Sequence, residues 1–176
     1  MTESTTPAAA PDTIDAVAGL RDGGRTAALR RARDKVRLHT QLSEAALFDP
    51  ALPGLSLAER LHAARYVARR SNADALAAIY RERLLNAGGT AHDIARADDE
   101  AFDALPNRLG AILAHARRLT LAPAAAGAAD LAALKASGLT TPAIVALSQL
   151  VAFVAYQLRV IAATRALQAR LAQEAA

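Results

Sequence analysis

Apolar residues recur along most of the chain at helical spacing, and no strand-like alternation persists anywhere. The clearest case is segment 56–70. "SLAE" (56–59) has the Ser-x-x-Glu form of a capping box, and Leu57, Leu61, Ala64 and Ala68 then share one face at i, i+4, i+7 and i+11. The next helix, with Ser71 or Asn72 as its expected cap, runs to Ala87, where Gly88 and Gly89 stop it. Ala73, Leu76, Tyr80 and Ala87 form its apolar stripe.

Upstream, the pattern predicts a short helix over Thr13–Leu20, stopped by Gly23 and Gly24. A longer amphipathic segment over 25–47 should break near His39. "FDPALPGL" (48–55) is a loop, because two prolines and a glycine leave no regular ladder. Downstream, "TAHDIARADDEAFDAL" (90–105) reads as a loose acidic connection. Pro106 opens a helix that ends near Leu119, and "APAAAGA" (122–128) is a linker. "ADLAALKAS" makes a short helix ending at Gly138, and Thr141-Pro142 starts a last helix that continues toward the end of the chain. At ~1.5 Å per residue that helix reaches ~45 Å, longer than a compact domain requires. Part of it is therefore expected to pack against another subunit.

Composition agrees with helices. Alanine fills 48 of 176 positions, and three Tyr and three Phe are the only aromatic residues. The expectation is an all-α fold: a flexible tail over residues 1–12, then a single helical domain over 13–176. The absence of cysteine removes disulfides and thiol chemistry. The first residues lack the charged and apolar regions of a signal peptide, so a cytoplasmic location is the default expectation. The apolar run "AIVALSQLVAFVAY" raises the question of a membrane span. After Pro142 only Ala143–Leu158 stay uncharged, with Ser148, Gln149 and Gln157 among them; a central buried helix is the better reading, with no membrane partner.

The formal charge is +4 and the pI about 10.1. The densest basic cluster, "RRARDKVR" (30–37), has no interleaved aromatic residue, so it reads as a solvated helix face rather than a nucleic-acid surface. His39, His92 and His115 stand apart without metal-ligand spacing, so neither a metal nor a cofactor is expected.

The order of features, with "NAGGT" closing one helix and "PNRLGAILAHARRLTLAPAAAGAADLAALKASGLTTPAIVALSQLVAFVAYQLRV" following, resembles the carboxymuconolactone decarboxylase superfamily, which includes the alkylhydroperoxidase D proteins. The resemblance spans roughly residues 50–165. It implies an alkylhydroperoxidase D-like helical bundle that assembles as a homo-oligomer, a trimer or hexamer. Aligned on Gly88, the peroxidatic cysteines of that superfamily would fall at Ala73 and Leu76, its histidine at Tyr80 and its glutamate near Leu61. None of those groups is present, which excludes the thiol peroxidase mechanism. In the decarboxylase branch, too, a histidine would stand where Tyr80 does, and a phenol of pKa ~10 is a poor base near neutrality.

The polar residues left for function are few. Tyr80 is either a core tyrosine whose hydroxyl meets a backbone group or a ligand-binding group in the vestigial pocket. His62 and Tyr66 lie one turn apart, off the main stripe, either lining that pocket or at a subunit contact. On the last helix, Gln149, Phe153, Tyr156 and Val160 share one stripe and Ser148, Ala152, Ala155 and Arg159 another. A buried Arg159 would pair across a subunit interface, or bind an anion together with tyrosine hydroxyls. The pocket-lining set is thus Tyr80, His62, Tyr66, Gln149, Tyr156 and Arg159, with no catalytic residue assigned. Two functional expectations follow. One is a non-redox protein binding a small organic or anionic molecule, or acting on a lactone or carboxylate by proton transfer or decarboxylation. The other is a non-catalytic assembly protein built on its long last helix.

Overall fold

A computed structural model describes residues 12–174; the N-terminal tail read from the sequence lies almost wholly outside them. All regular structure among the described residues is helical: α1 (Thr13–Ala18), α2 (Arg25–Arg31), α3 (Asp34–Leu47), α4 (Leu57–Arg70), α5 (Asp74–Asn86), α6 (Ala91–Asp98), α7 (Asn107–Leu121), α8 (Ala128–Ala136) and α9 (Thr141–Gln173). Single 3-10 turns precede α7 and α8.

The core is built around α4. Its capping box forms as the sequence predicts: the Ser56 hydroxyl accepts from Glu59 N at 3.1 Å, and Ser56 N donates to the Glu59 carboxylate at 2.8 Å. From Arg60 to Ala68 every residue is buried, so the predicted one-sided stripe is really an enclosed helix. Its alanines at 63, 64 and 68 have no exposed surface, which lets α5, α7 and α9 come close on different sides. The turn from α5 to α6 needs its glycines. Gly88 has φ +87°, and a Cβ on Gly89 would stand 2.4 Å from Leu84 Cδ1.

Several boundaries differ from those predicted. The break in segment 25–47 falls at Ala32–Arg33, not near His39. Neither Ser71 nor Asn72 caps α5; the cap is Ala73, because Asn72 turns the chain at φ +56°, a conformation asparagine tolerates. The acidic connection contains α6, which Thr90 caps by accepting from Asp93 N and which buries Ile94 and Ala97. Pro106 stands at the cap position, one residue before α7 begins.

The last helix also differs from expectation. It runs 33 residues, ~50 Å at ~1.5 Å per residue, and packs against six other helices but is buried on one side only. Leu147, Leu150, Val154 and Ile161 enter the core, while Val145, Tyr156 and Leu167 face out. Only 39% of its most apolar 18-residue window is buried, although by length and composition it would pass for a membrane span.

Candidate functional site

The resemblance would put a histidine at Tyr80, and the structure packs that tyrosine in the core. Its ring has no exposed surface and packs on Phe48 at a centroid distance of 5.4 Å. Its hydroxyl donates to Gln157 Oε1 at 2.6 Å, a side chain rather than the expected backbone partner. Gln157 Nε2 in turn donates to Glu44 at 3.1 Å, and Glu44 also accepts from Arg83 at 2.8 Å and Thr13 at 2.9 Å. Four helices meet in this chain of hydrogen bonds. Burial, and then the Glu44 charge, push the Tyr80 phenol well above its ordinary value, so it holds its proton at any physiological pH. Leu76 beside it has no exposed surface, Leu61 has 1%, and Ala73 is half-buried at the α5 cap.

His62 and Tyr66 are buried in α4 on its opposite flank, not off the packed face as the spacing suggested. The Tyr66 hydroxyl donates to Glu100 at 2.8 Å, and Arg70 and Arg117 pair with the same carboxylate. The Tyr66 bond, more than the arginines, holds the Glu100 carboxyl below its ordinary value, while burial raises the phenol. Arg65 makes a two-pronged contact to Asp98 at 2.9 and 2.6 Å. This cluster fastens α4 to the turn after α6. Burial lowers the His62 imidazole, which favours the neutral ring, and its Nδ1 has no partner.

Tyr156 lies on the outer flank of α9. Its hydroxyl is 3.0 Å from Thr40 Oγ1 of α3, and its ring neighbours Phe153 at 6.3 Å. Thr40 is the one buried residue of α3; Val36, Leu38 and Leu42 are each more than half exposed.

Gln149 and Arg159 line a long open groove instead. Both are exposed, so Arg159 is not the buried guanidinium expected, and no tyrosine joins it. The groove comprises two troughs of about 500 and 630 Å³ that share Ser148 and Ala152. The predicted stripe of Ser148, Ala152, Ala155 and Arg159 forms its α9 side. His115, buried in α7, brings Nε2 to 3.3 Å from the Ser148 hydroxyl, a contact that spacing could not reveal across 33 residues. Burial lowers the His115 imidazole, partly opposed by Asp130. Ser148 also donates to Ile144 O at 2.9 Å, and no carboxylate backs His115 Nδ1. The Ser148 proton is thus directed to Ile144 O rather than to His115.

The six sequence-predicted residues therefore occupy four separate places. Tyr80 belongs to one network, Tyr66 and His62 to the α4 flank, Tyr156 to the α3 contact, and Gln149 with Arg159 to the groove. No group of three or more metal-ligating side chains occurs among the described residues. Compared with known proteins, the chain matches no family model, no curated relative and no solved structure.

Proposed function

We propose that this chain is a non-catalytic assembly protein, a cysteine-free relative of the carboxymuconolactone decarboxylase superfamily that joins copies of itself through α9 and α3. One observation carries the reading: α3 buries only Thr40 and leaves Val36, Leu38 and Leu42 more than half exposed, and α9 presents Tyr156 and Leu167 to solvent. A 14-residue helix is marginal in water unless a packed face holds it, and α3 buries one residue while presenting Leu38 and Leu42 one turn apart. Along α9, Tyr156 and Leu167 are exposed, and the exposed Ala163 between them permits close helix approach. The network at Tyr80 supports the same reading, since its hydroxyl is already engaged by Gln157 and Gln157 by Glu44.

The test is light scattering across a concentration series. The wild-type chain is expected to run as a closed homo-oligomer, a trimer or hexamer by the resemblance. Leu167→Glu and Leu42→Glu, both at exposed positions, should shift it to monomer with unchanged helical circular dichroism. A wild-type chain that stays monomeric at tens of micromolar overturns the proposal.

A further inference from the structure

We infer that the groove along α9 binds an anionic amphiphile, a long-chain carboxylate. Its floor is made of small residues, Ser148, Ala152 and Ala155, and its walls are apolar: Val67 of α4, Leu119 of α7 and Leu131 of α8. From Val145 to Arg159 it follows ~21 Å of helix axis at ~1.5 Å per residue, the reach of an extended long-chain acyl group. Arg159 marks one end. Arg159 makes no ion pair or hydrogen bond among the described residues, and the Ser71 and Thr120 hydroxyls line the same trough. A mostly apolar trough with a few convergent donors is the ordinary form of a small-molecule site, and a free guanidinium with two hydroxyls suits a carboxylate.

The sign of charge narrows the occupant. Lys135 lines the far trough, so both ends carry cations. The exposed α2–α3 segment of a second copy, with Arg31, Arg33, Lys35 and Arg37, is of the wrong sign to lie there. The Ser148 hydroxyl, in contact with His115, lies midway along the tail. The groove is set apart from the assembly positions Leu42 and Leu167, which line neither trough, so it stands independently of the proposed function.

Isothermal titration of the full chain with dodecanoate and with dodecanol tests the inference. Both should bind. Arg159→Ala should weaken dodecanoate about tenfold or more, the size expected for losing a charge-assisted contact, and leave dodecanol unchanged. Ala152→Trp, at an exposed position in the middle of the groove, should abolish both while circular dichroism stays that of the wild type. Leu167→Glu, which should break assembly, is expected to leave dodecanoate affinity intact. Absence of saturable binding, or dodecanoate affinity unchanged in Arg159→Ala or Ala152→Trp, overturns the inference. Loss of binding in Leu167→Glu overturns it as well, because the site would then belong to the assembled form.

Discussion

Helices α3 and α4 are each 14 residues long and both begin and end within the same chain, yet they are held in opposite ways. In α4, nine consecutive residues are buried, and even Arg60, Arg65 and His62 are taken inside. In α3 only Thr40 is buried; Leu47 packs partly against the core, Thr40 meets the Tyr156 hydroxyl, and Glu44 accepts from Gln157. The difference separates two sources of stability. Burial within one chain explains α4 completely. It does not explain α3, whose leucines offer a surface that gains only when something covers it.

The sharpest way to break this contrast is to delete the same side chain from each helix. Leu61→Ala, at a position 1% exposed, should cost ~3 kcal/mol in chemical denaturation. Leu42→Ala, 54% exposed, should cost under ~0.5 kcal/mol in a dilute monomer. Equal losses in the two variants would show that α3 is packed after all. A smaller effect is expected where α3 is tethered to the core. Tyr80→Phe should cost ~1–2 kcal/mol, because Gln157 Oε1 is then left buried without its donor. Denaturant midpoints identical to wild type would mean that the network contributes nothing.

A cap on α4 ranks next. Ser56→Ala removes the acceptor for Glu59 N and should cost ~1 kcal/mol, measured as a fall in midpoint at constant slope. The mildest effect concerns pH. His62 and His115 are both held below the ordinary histidine value by burial. The unfolded chain therefore binds more protons than the folded one as pH falls below ~6.5, and stability drops through that window until the folded imidazoles titrate too. Urea midpoints measured from pH 8 down to pH 5 should show the decline, and His115→Asn should flatten part of it. A slope of the opposite sign would mean that the buried rings are stabilised in their charged form.

Local signals in the chain reached the elements but not their partners. Ser56 with Glu59, the glycines at 88 and 138, and the prolines of 48–55 mark boundaries because caps and turns are made by residues close in sequence. Thr90 with Asp93 was a signal of the same kind, hidden inside an acidic stretch whose Ile94 and Ala97 are too few to show a period. The surroundings of Arg65 and Tyr66 were not legible, since their partners Asp98 and Glu100 arrive from more than 30 residues away. The same holds for Tyr80, whose partner Gln157 is 77 residues distant. On α9 the two stripes were legible and their surroundings were not. Ser148, Ala152, Ala155 and Arg159 do share a face, but only the tertiary packing shows that it borders an open groove.

The position of α9 has a consequence for how the protein is made. Arg165 donates to Val17 O across 148 residues, Ile14 is buried, and α1 packs on α9. While the ribosome is still producing α2 through α8, the first helix lacks its main packing partner, and the core lacks Leu147, Leu150 and Val154. The nascent chain must therefore wait with its apolar sides open until residues 141–173 emerge, which makes the interval just before α9 is released its most vulnerable time for aggregation or capture by a chaperone.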